Sequence, residues 1–207
     1  MPRYQEAKRE KLMNETRQRL LKAATSALAL DGFDKANVNS IAEQAGYSIG
    51  TFYNYFPSKR DLVHAVIDAV SLHQVDAISD IVNKGNDPTQ KLALFFQAGF
   101  EFVEDHTLQA KAIFNILNGP DQEFKDRLFQ AYLPLFDLLG ADILLQGVNQ
   151  GLFREVDIPA TANLLMFLYL GVGSQLNRDG KLWLQASQVS EFVLYSLLVS
   201  REVRGSG

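Results

Sequence analysis

The stretch that decides the fold is residues 37–62, which read NVNSIAEQAGYSIGTFYNYFPSKRDL. Asn37 is placed to cap a short helix through its side-chain oxygen, and Gly46 is placed to end that helix. The apolar positions between them repeat at helical spacing: Val38, Ile41, Ala42 and Ala45. Ser48 is placed to cap a second helix. The sequence therefore predicts two short helices joined by a tight turn, a helix-turn-helix.

The second short helix has a buried side and an outward side. A spacing of four residues puts Phe52 and Phe56 on the same face, which we expect to lie in the core. The remaining side chains are small, polar or aromatic and should point outward: Ser48, Ile49, Thr51, Tyr53 and Tyr55. Such a face suits a groove of DNA.

The run IAEQAGYSIGTFYNYFPSK resembles the DNA-binding domain of the TetR family of bacterial transcriptional regulators, and the resemblance extends over about residues 14–74. The family pattern is matched at these positions: Gly32, Phe33, Ile41, Ala42, Ala45, Gly46, Gly50, Thr51, Tyr53, Tyr55, Phe56, Ser58 and Lys59. The chain departs from it at Ala36 and Asn37, where the family usually has two threonines, and at Tyr47, where it usually has valine. The resemblance implies a DNA-binding N-terminus followed by a helical part that binds a small molecule and dimerises.

The predicted contacts with DNA follow from reach and from this resemblance. The resemblance implies that Tyr53 and Tyr55 donate their hydroxyls to phosphates. Ile49, exposed near the start of the recognition helix, would contact a thymine methyl, the alternative being an ordinary exposed isoleucine. Gly50 would let the helix backbone approach the duplex, although slack in a short helix is the alternative. The full predicted set is Arg17, Asn37, Ser48, Ile49, Gly50, Thr51, Tyr53, Asn54, Tyr55 and Lys59.

The distribution of charge agrees with a DNA-binding N-terminus. Residues 1–60 contain ten Lys or Arg and six Asp or Glu, a net charge of +4, whereas residues 61–207 carry −8. Phosphate neutralisation dominates affinity for nucleic acid, so the concentration of positive charge at one end matters more than the acidic total. A solvated charged face is the alternative.

Length and composition restrict the class of protein. The 207 residues are 47% hydrophobic, enough for a sizeable core. The absence of cysteine rules out disulfides and thiolate metal sites and fits a reducing cytoplasm, where we expect the protein to be located. We find no signal peptide, and the most apolar run, residues 164–172, is too short to span a membrane.

The whole chain has the pattern of an all-α protein of about nine helices, because no segment alternates at period two. We predict a basic N-terminal arm at residues 1–13 and the DNA-binding domain at residues 14–60, with its motif at about 37–56. A ligand-binding and dimerisation domain at 61–204 and a flexible tail at 205–207 would follow. The first long helix should begin near Asn14.

The C-terminal part is rich in aromatic residues, most of which must be core. The family resemblance implies an effector pocket there, and the aromatic load favours an apolar or amphipathic ligand. The candidate ligand-binding residues are Phe96, Phe100, Phe114, Asn115, Tyr132, Phe136, Gln146 and Phe167. For each polar candidate, a helix-surface amide or a local cap is the alternative.

The last two strong helices predict a homodimer. Residues 160–172 are apolar nearly all round, so this helix needs a second partner face, the alternative being a buried central helix in a monomer. The predicted interface residues are Leu164, Phe167, Leu168, Phe192, Tyr195 and Leu198. Two-fold symmetry would then place two recognition helices on a palindromic operator.

These features predict a transcriptional regulator, by default a repressor that a small effector releases from its operator. A DNA-binding adaptor that recruits a protein partner without an effector is the alternative. We do not expect an enzyme or a cofactor, because nucleophile, phosphate-loop and zinc motifs are missing from the sequence and the three histidines have no metal-ligand spacing.

Overall fold

The structure, a computed structural model, describes residues 2–177 and 179–199, with side chains described from residue 10 onward. Within these ranges it contains ten helices, one more than predicted, and isolated β-bridges but no strand. The helices are α1 Pro2–Lys35, α2 Val38–Ala45, α3 Ile49–Tyr55, α4 Lys59–Val82, α5 Pro88–Asp105, α6 Thr107–Asn118, α7 Gln122–Ala131, α8 Leu133–Asn149, α9 Ile158–Gly173 and α10 Ala186–Leu197. The predicted all-α class is confirmed.

Helix α1 begins much earlier than predicted. It starts at Pro2, not near Asn14, because residues 3–13 are mostly good helix formers without glycine or proline. Its last turn bends at Gly32, which has a φ of 71° that other residues adopt at a cost. The side chains of residues 2–9, most of the predicted basic arm, and the predicted tail at 205–207 lie outside the described residues.

The predicted helix caps are confirmed. Asn37 accepts a hydrogen bond from the amide of Asn39, and Ser48 accepts one from that of Thr51. Between the two short helices, Gly46 has left-handed φ and ψ of 83° and 28° and donates its N–H to the last carbonyls of α2. The Ser58 hydroxyl accepts from the amide of Asp61 and donates to its carboxylate, which starts α4.

The chain packs as two units. Unit 1 contains residues up to 72 together with residues 107–131, and unit 2 contains residues 73–106 together with those from 132 onward. The predicted division at residue 60 falls within the first turn of α4, and α6 and α7 group with the helix-turn-helix. As a division between DNA-binding and effector-binding functions, residues 14–60 and 61–204 stay a prediction.

Unit 2 includes one long helix with an irregular middle. Residues Leu138–Leu145 of α8 form π-helical turns, and Leu139, Ile143 and Leu144 are buried there.

No single described helix has both the length and the apolar character to cross a membrane. Helices α7 and α8 satisfy that test only as a pair, with a break between them.

Candidate DNA interface and effector core

The recognition helix α3 is anchored by its two phenylalanines. Phe52 is fully buried and packs against the ring of Phe56 at 5.8 Å between centroids and against the edge of Tyr53 at 5.2 Å. Thr51 and Tyr55 are half-buried. The other three residues of the predicted outward face, Ser48, Ile49 and Tyr53, are exposed, and so are Gly50 and Asn54. The predicted exposure is therefore confirmed for three of the five residues, while Thr51 and Tyr55 are partly covered.

The start of α3 has its polar groups in a defined arrangement. The Ser48 hydroxyl lies 3.0 Å from the Thr51 hydroxyl and accepts from the Thr51 amide at 3.2 Å. A Cβ built on Gly50 would meet only the Ser48 hydroxyl, at an ordinary 3.8 Å. Packing within the protein therefore does not require glycine at position 50. Close approach of a binding partner to the helix backbone would be one reason for a glycine there.

Two predicted basic residues lie over aromatic rings of unit 1. The guanidinium of Arg17 is centred 5.5 Å from the ring of Phe56. The ammonium of Lys59 lies 4.4 Å from the ring centre of Phe33 and donates to the carbonyl of Asp34 at 3.4 Å. Both contacts are on the helix-turn-helix or beside it, so the two cations already have partners within the protein.

A third cation near the turn was not predicted. Arg19 on α1 lies over the ring of Tyr47, 5.4 Å from its centre, and its nitrogen approaches Gly46. The hydroxyls of Tyr47 and Thr16 lie 3.2 Å apart. This hydrogen bond from Thr16 and the nearby Arg19 lower the pKa of Tyr47. The departure from the family pattern at Tyr47 was the signal, because a tyrosine there needs partners that a valine does not.

Unit 1 also contains an ion-pair network that sequence reasoning missed. The Arg60 guanidinium bonds both oxygens of Asp121, at 2.9 and 2.8 Å, and Glu123 at 2.9 Å. It lies over the ring of Phe124, 4.6 Å from the centre. Partial burial pushes the pKa of Asp121 upward, but the Phe124 amide and Arg60 more than offset this, and the pKa lies below its ordinary value. The network holds the start of α7 to the start of α4.

The eight predicted ligand-binding residues fall into both units. Phe114 and Asn115 belong to unit 1, where the Asn115 amide donates to the carbonyls of Leu28 and Ala29 at 2.8 and 3.1 Å. The other six belong to unit 2, with Phe96, Phe100 and Tyr132 buried, Phe136 half-buried, and Gln146 and Phe167 exposed. The structure thus does not bring all eight together, and their role stays a prediction.

The centre of unit 2 is a buried polar cluster. Tyr132 donates its hydroxyl to the side-chain oxygen of Gln74, and the Gln74 amide donates to the hydroxyl of Tyr169. The ring of Tyr169 stacks on Phe100 at 6.4 Å and meets the edge of Phe95 at 5.5 Å. Burial, and next the nearby Tyr132, raise the pKa of Tyr169 well above its ordinary value.

Gln74 and Tyr169 were absent from the predicted set, although a signal existed. Gln74 lies four residues after Val70 and four before Ile78, both buried on the same face of α4. A glutamine in such a stripe must find buried partners. Tyr169 has the same need for its hydroxyl.

Helices α9 and α10 expose large apolar side chains. On α9, Leu164 is 67% and Phe167 53% exposed, and on α10 Phe192 is 73% and Tyr195 87% exposed. Leu168 is half-buried and Leu198 is exposed. The predicted interface residues therefore lie mostly on the surface of this chain.

Comparison with known proteins explains the arrangement in unit 1. Residues 20–66 match the sequence model for bacterial regulatory proteins of the tetR family. The HTH-type transcriptional regulator YerO of Bacillus subtilis is 27% identical over 89% of this chain, which spans only 64% of YerO. The HTH-type transcriptional repressor KstR2 of Mycobacterium tuberculosis is 29% identical, over 70% of this chain and 74% of that protein.

Residues 20–66 belong to the TetR family of bacterial regulatory proteins.

The fold of the chain is also found in solved structures. The crystal structure of the regulator FadR from Bacillus subtilis, in complex with stearoyl-CoA, aligns with a TM-score of 0.75. The alignment covers 86% of this chain and 95% of that one, at 20% sequence identity. At that identity the likeness establishes the fold alone.

Proposed function

We propose that this protein is a sequence-specific DNA-binding transcriptional regulator whose α3 enters the major groove. The observation that carries the proposal is the two-sidedness of α3. Its buried Phe52 fixes the helix to unit 1, while Ile49, Gly50, Tyr53 and Asn54 are exposed and unobstructed for contact. Tyr53, Tyr55 and Lys59 would bind phosphates, and Ile49 would read a thymine methyl.

We propose that the regulator works as a homodimer. Exposed phenylalanine, leucine and tyrosine side chains on two consecutive helices are typical of a covered interface and not of a monomer surface. A two-fold interface formed by α9 and α10 would present two copies of α3 to a palindromic operator, with half-sites about one helical turn apart.

The effector would be a small apolar or amphipathic molecule that binds in unit 2. Phe95, Phe96 and Phe100 supply an apolar surround, and the Gln74, Tyr132 and Tyr169 cluster supplies hydrogen-bonding groups. An acyl-coenzyme A thioester is the first class to test, because FadR of the same fold is solved with stearoyl-CoA.

Repression with release by this effector is the proposed mode of regulation, and KstR2 is a repressor by name. Helix α4 runs from Lys59, beside the recognition helix, to Val82 and contains Gln74. An effector that displaces the Gln74 contacts would therefore act on the helix that also holds Lys59. To change operator occupancy from nearly full to nearly empty, it must favour the released state by about 5 kcal/mol.

A constitutive adaptor without an effector is the second candidate. One observation favours it, which is the close packing around Tyr169. A Cβ on Gly99 would lie 2.5 Å from the Tyr169 ring, so the aromatic core has no slack at that point. We propose no catalysed reaction for this chain, and its relatives YerO and KstR2 are regulators by name.

The experiment that tests the proposal is selection of bound sequences from random duplex DNA by the purified protein, with the molecular mass of the complex measured alongside. We expect a palindrome bound by a dimer. Stearoyl-CoA should then release the operator, whereas coenzyme A alone should not. Weak, salt-sensitive binding without a motif would contradict the regulator, and a palindrome that no acyl thioester releases would favour the adaptor.

A further inference from the structure

Unit 1 has a pocket of its own, separate from the effector core described for unit 2. Its volume is about 250 Å³, and its walls come from the end of α1, the end of α6 and the start of α7. Leu28, Phe33, Ile116 and Phe124 form its apolar surface. None of the residues predicted to contact DNA lines this cavity.

The walls of this pocket are fixed in position by hydrogen bonds between them. The Asn115 amide donates to the carbonyls of Leu28 and Ala29, which fixes the distance between α6 and α1. Arg60 holds Asp121 at the start of α7, and the Asp121 carboxylate also accepts from the Phe124 amide at 3.2 Å. The pocket is therefore preformed and does not depend on a ligand to open.

The polar groups on the walls are hydrogen-bond acceptors. Asn115 uses its NH₂ group on backbone carbonyls, so its oxygen is the group left for a ligand. Asp34 is an exposed carboxylate on the lining, whereas the Asp121 carboxylate is half-buried and already accepts from Arg60 and the Phe124 amide. Hydrogen-bond acceptors in an apolar pocket favour a ligand that donates hydrogen bonds.

The excess of carboxylates around the pocket favours a cation. The Phe33 and Phe124 rings meet edge to face at 4.9 Å between centroids and supply apolar surface, since Lys59 and Arg60 already lie over them. Around the pocket, the carboxylates of Asp34, Asp121 and Glu123 outnumber the cations of Lys59 and Arg60. Arg60 is already neutralised by two of these carboxylates.

We propose that this pocket binds a small organic cation, a primary amine on an aromatic or branched apolar body. The ammonium would bond the Asp34 carboxylate and the Asn115 oxygen, and the apolar body would pack against the side of the pocket formed by Phe33 and Phe124. Phe33 and Asp34 also contact the Lys59 ammonium. A bound cation would therefore change the position of Lys59, which is a proposed phosphate contact. The pocket is thus a second regulatory site, and this last step rests on the proposed function.

The binding step is tested without DNA. The full chain is titrated to about 10 mM with 2-phenylethylammonium, with neutral 2-phenylethanol and with phenylacetate, since ligands of this size bind weakly. Amide shifts in ¹H–¹⁵N spectra locate the site. We expect the cation to bind at least about tenfold more tightly than the alcohol, with shifts at Phe33, Asn115 and Gly119. No binding, equal binding of all three, or shifts confined to unit 2 would overturn the proposal.

Two matched variants sharpen the test. Asp34→Asn should weaken the cation about tenfold and leave the alcohol unchanged, because it removes the charge and keeps the carbonyl that holds Lys59. Asp31→Asn changes an equally exposed carboxylate of α1 outside the lining and should have no effect. If both variants bind the cation like the parent protein, Asp34 is not its partner and the proposal is wrong.

The regulatory step is measured separately, as the affinity for the selected operator with and without saturating 2-phenylethylammonium. We expect a fall of at least about threefold that Asp34→Asn abolishes. Cation binding with unchanged operator affinity would overturn the regulatory step alone. Failure to select any operator would count against the proposed function and leave the binding result standing.

Discussion

The side-chain amide of Gln74 on α4 donates to the hydroxyl of Tyr169 on α9, across 95 positions of sequence. Gln74 is 4% and Tyr169 1% exposed, so the bond is made out of contact with water. An amide buried without partners would cost free energy, and the two tyrosines of the cluster remove that cost. The bond therefore ties the second half of α4 into the core of unit 2.

We expect Gln74→Leu to lower the free energy of unfolding by about 2 kcal/mol, because the hydroxyls of Tyr132 and Tyr169 lose their buried partner. Urea denaturation measures the loss. The control repeats the substitution in a Tyr169→Phe background, where part of the cost should disappear. An equal loss in both backgrounds would show that the bond to Tyr169 contributes nothing.

Substitutions on the proposed DNA face should separate affinity from specificity. Tyr53→Phe and Lys59→Ala should weaken binding to all sequences, and Lys59→Ala should reduce the salt slope by about 1. Ile49→Ala should instead change the preference at one or two base pairs. Lys111→Ala, an exposed lysine of α6, is the control for charge. Unchanged affinity in both Tyr53→Phe and Lys59→Ala would mean that the recognition helix is misplaced.

Gly50→Ala should have opposite effects on folding and on DNA binding. Alanine is favoured over glycine in a helix by about 1 kcal/mol, and the structure has room for its methyl group. Unfolding should therefore require more urea, while operator affinity measured by fluorescence anisotropy falls. A more stable variant with full affinity would show that glycine is not needed for close approach to the duplex.

A charge on the α9 and α10 face should dissociate the proposed dimer. In a two-fold interface, Phe192→Glu introduces one new carboxylate from each subunit. Burying these unpaired charges costs several kcal/mol of the free energy of association. Sedimentation equilibrium should find a monomer that keeps its helical circular dichroism. Trp183→Glu alters another exposed aromatic residue, outside the face, and should remain dimeric. A dimer that survives Phe192→Glu would rule out this face.

The ion pair of Arg60 and Asp121 should contribute stability at neutral pH and not in acid. The pKa of Asp121 is lower in the folded protein, so the folded state gains from the ionised carboxylate above its unfolded pKa of about 3.9. That gain is lost as the pH falls through the folded pKa. The urea midpoints of the parent and Asp121→Asn should therefore differ at about pH 7 and converge near pH 2.

The comparison with Asp126→Asn separates the ion pair from general charge. Asp126 is exposed on α7, the helix that follows Asp121, and accepts a hydrogen bond from Gln122, without the Arg60 contact. A difference between the parent and Asp121→Asn that is the same at both pH values would contradict the assignment.

Prediction succeeded where the signals were local. Asn37, Gly46 and Ser48 have the expected capping or turn geometry, because a cap involves groups only two to four residues away. It failed for the start of α1, where a long run without a breaker continues the helix to Pro2.

The sequence by itself determined the helical class, the helix-turn-helix and the exposed side of α3, since periodicity and capping are properties of neighbouring residues. Only the tertiary structure decided the pairing of Gln74 with Tyr132 and Tyr169, the Arg60 bonds to Asp121 and Glu123, and the division of the predicted ligand residues between two units. These contacts join residues 58 to 95 positions apart. Their geometry depends on how whole helices pack, and no local pattern encodes that.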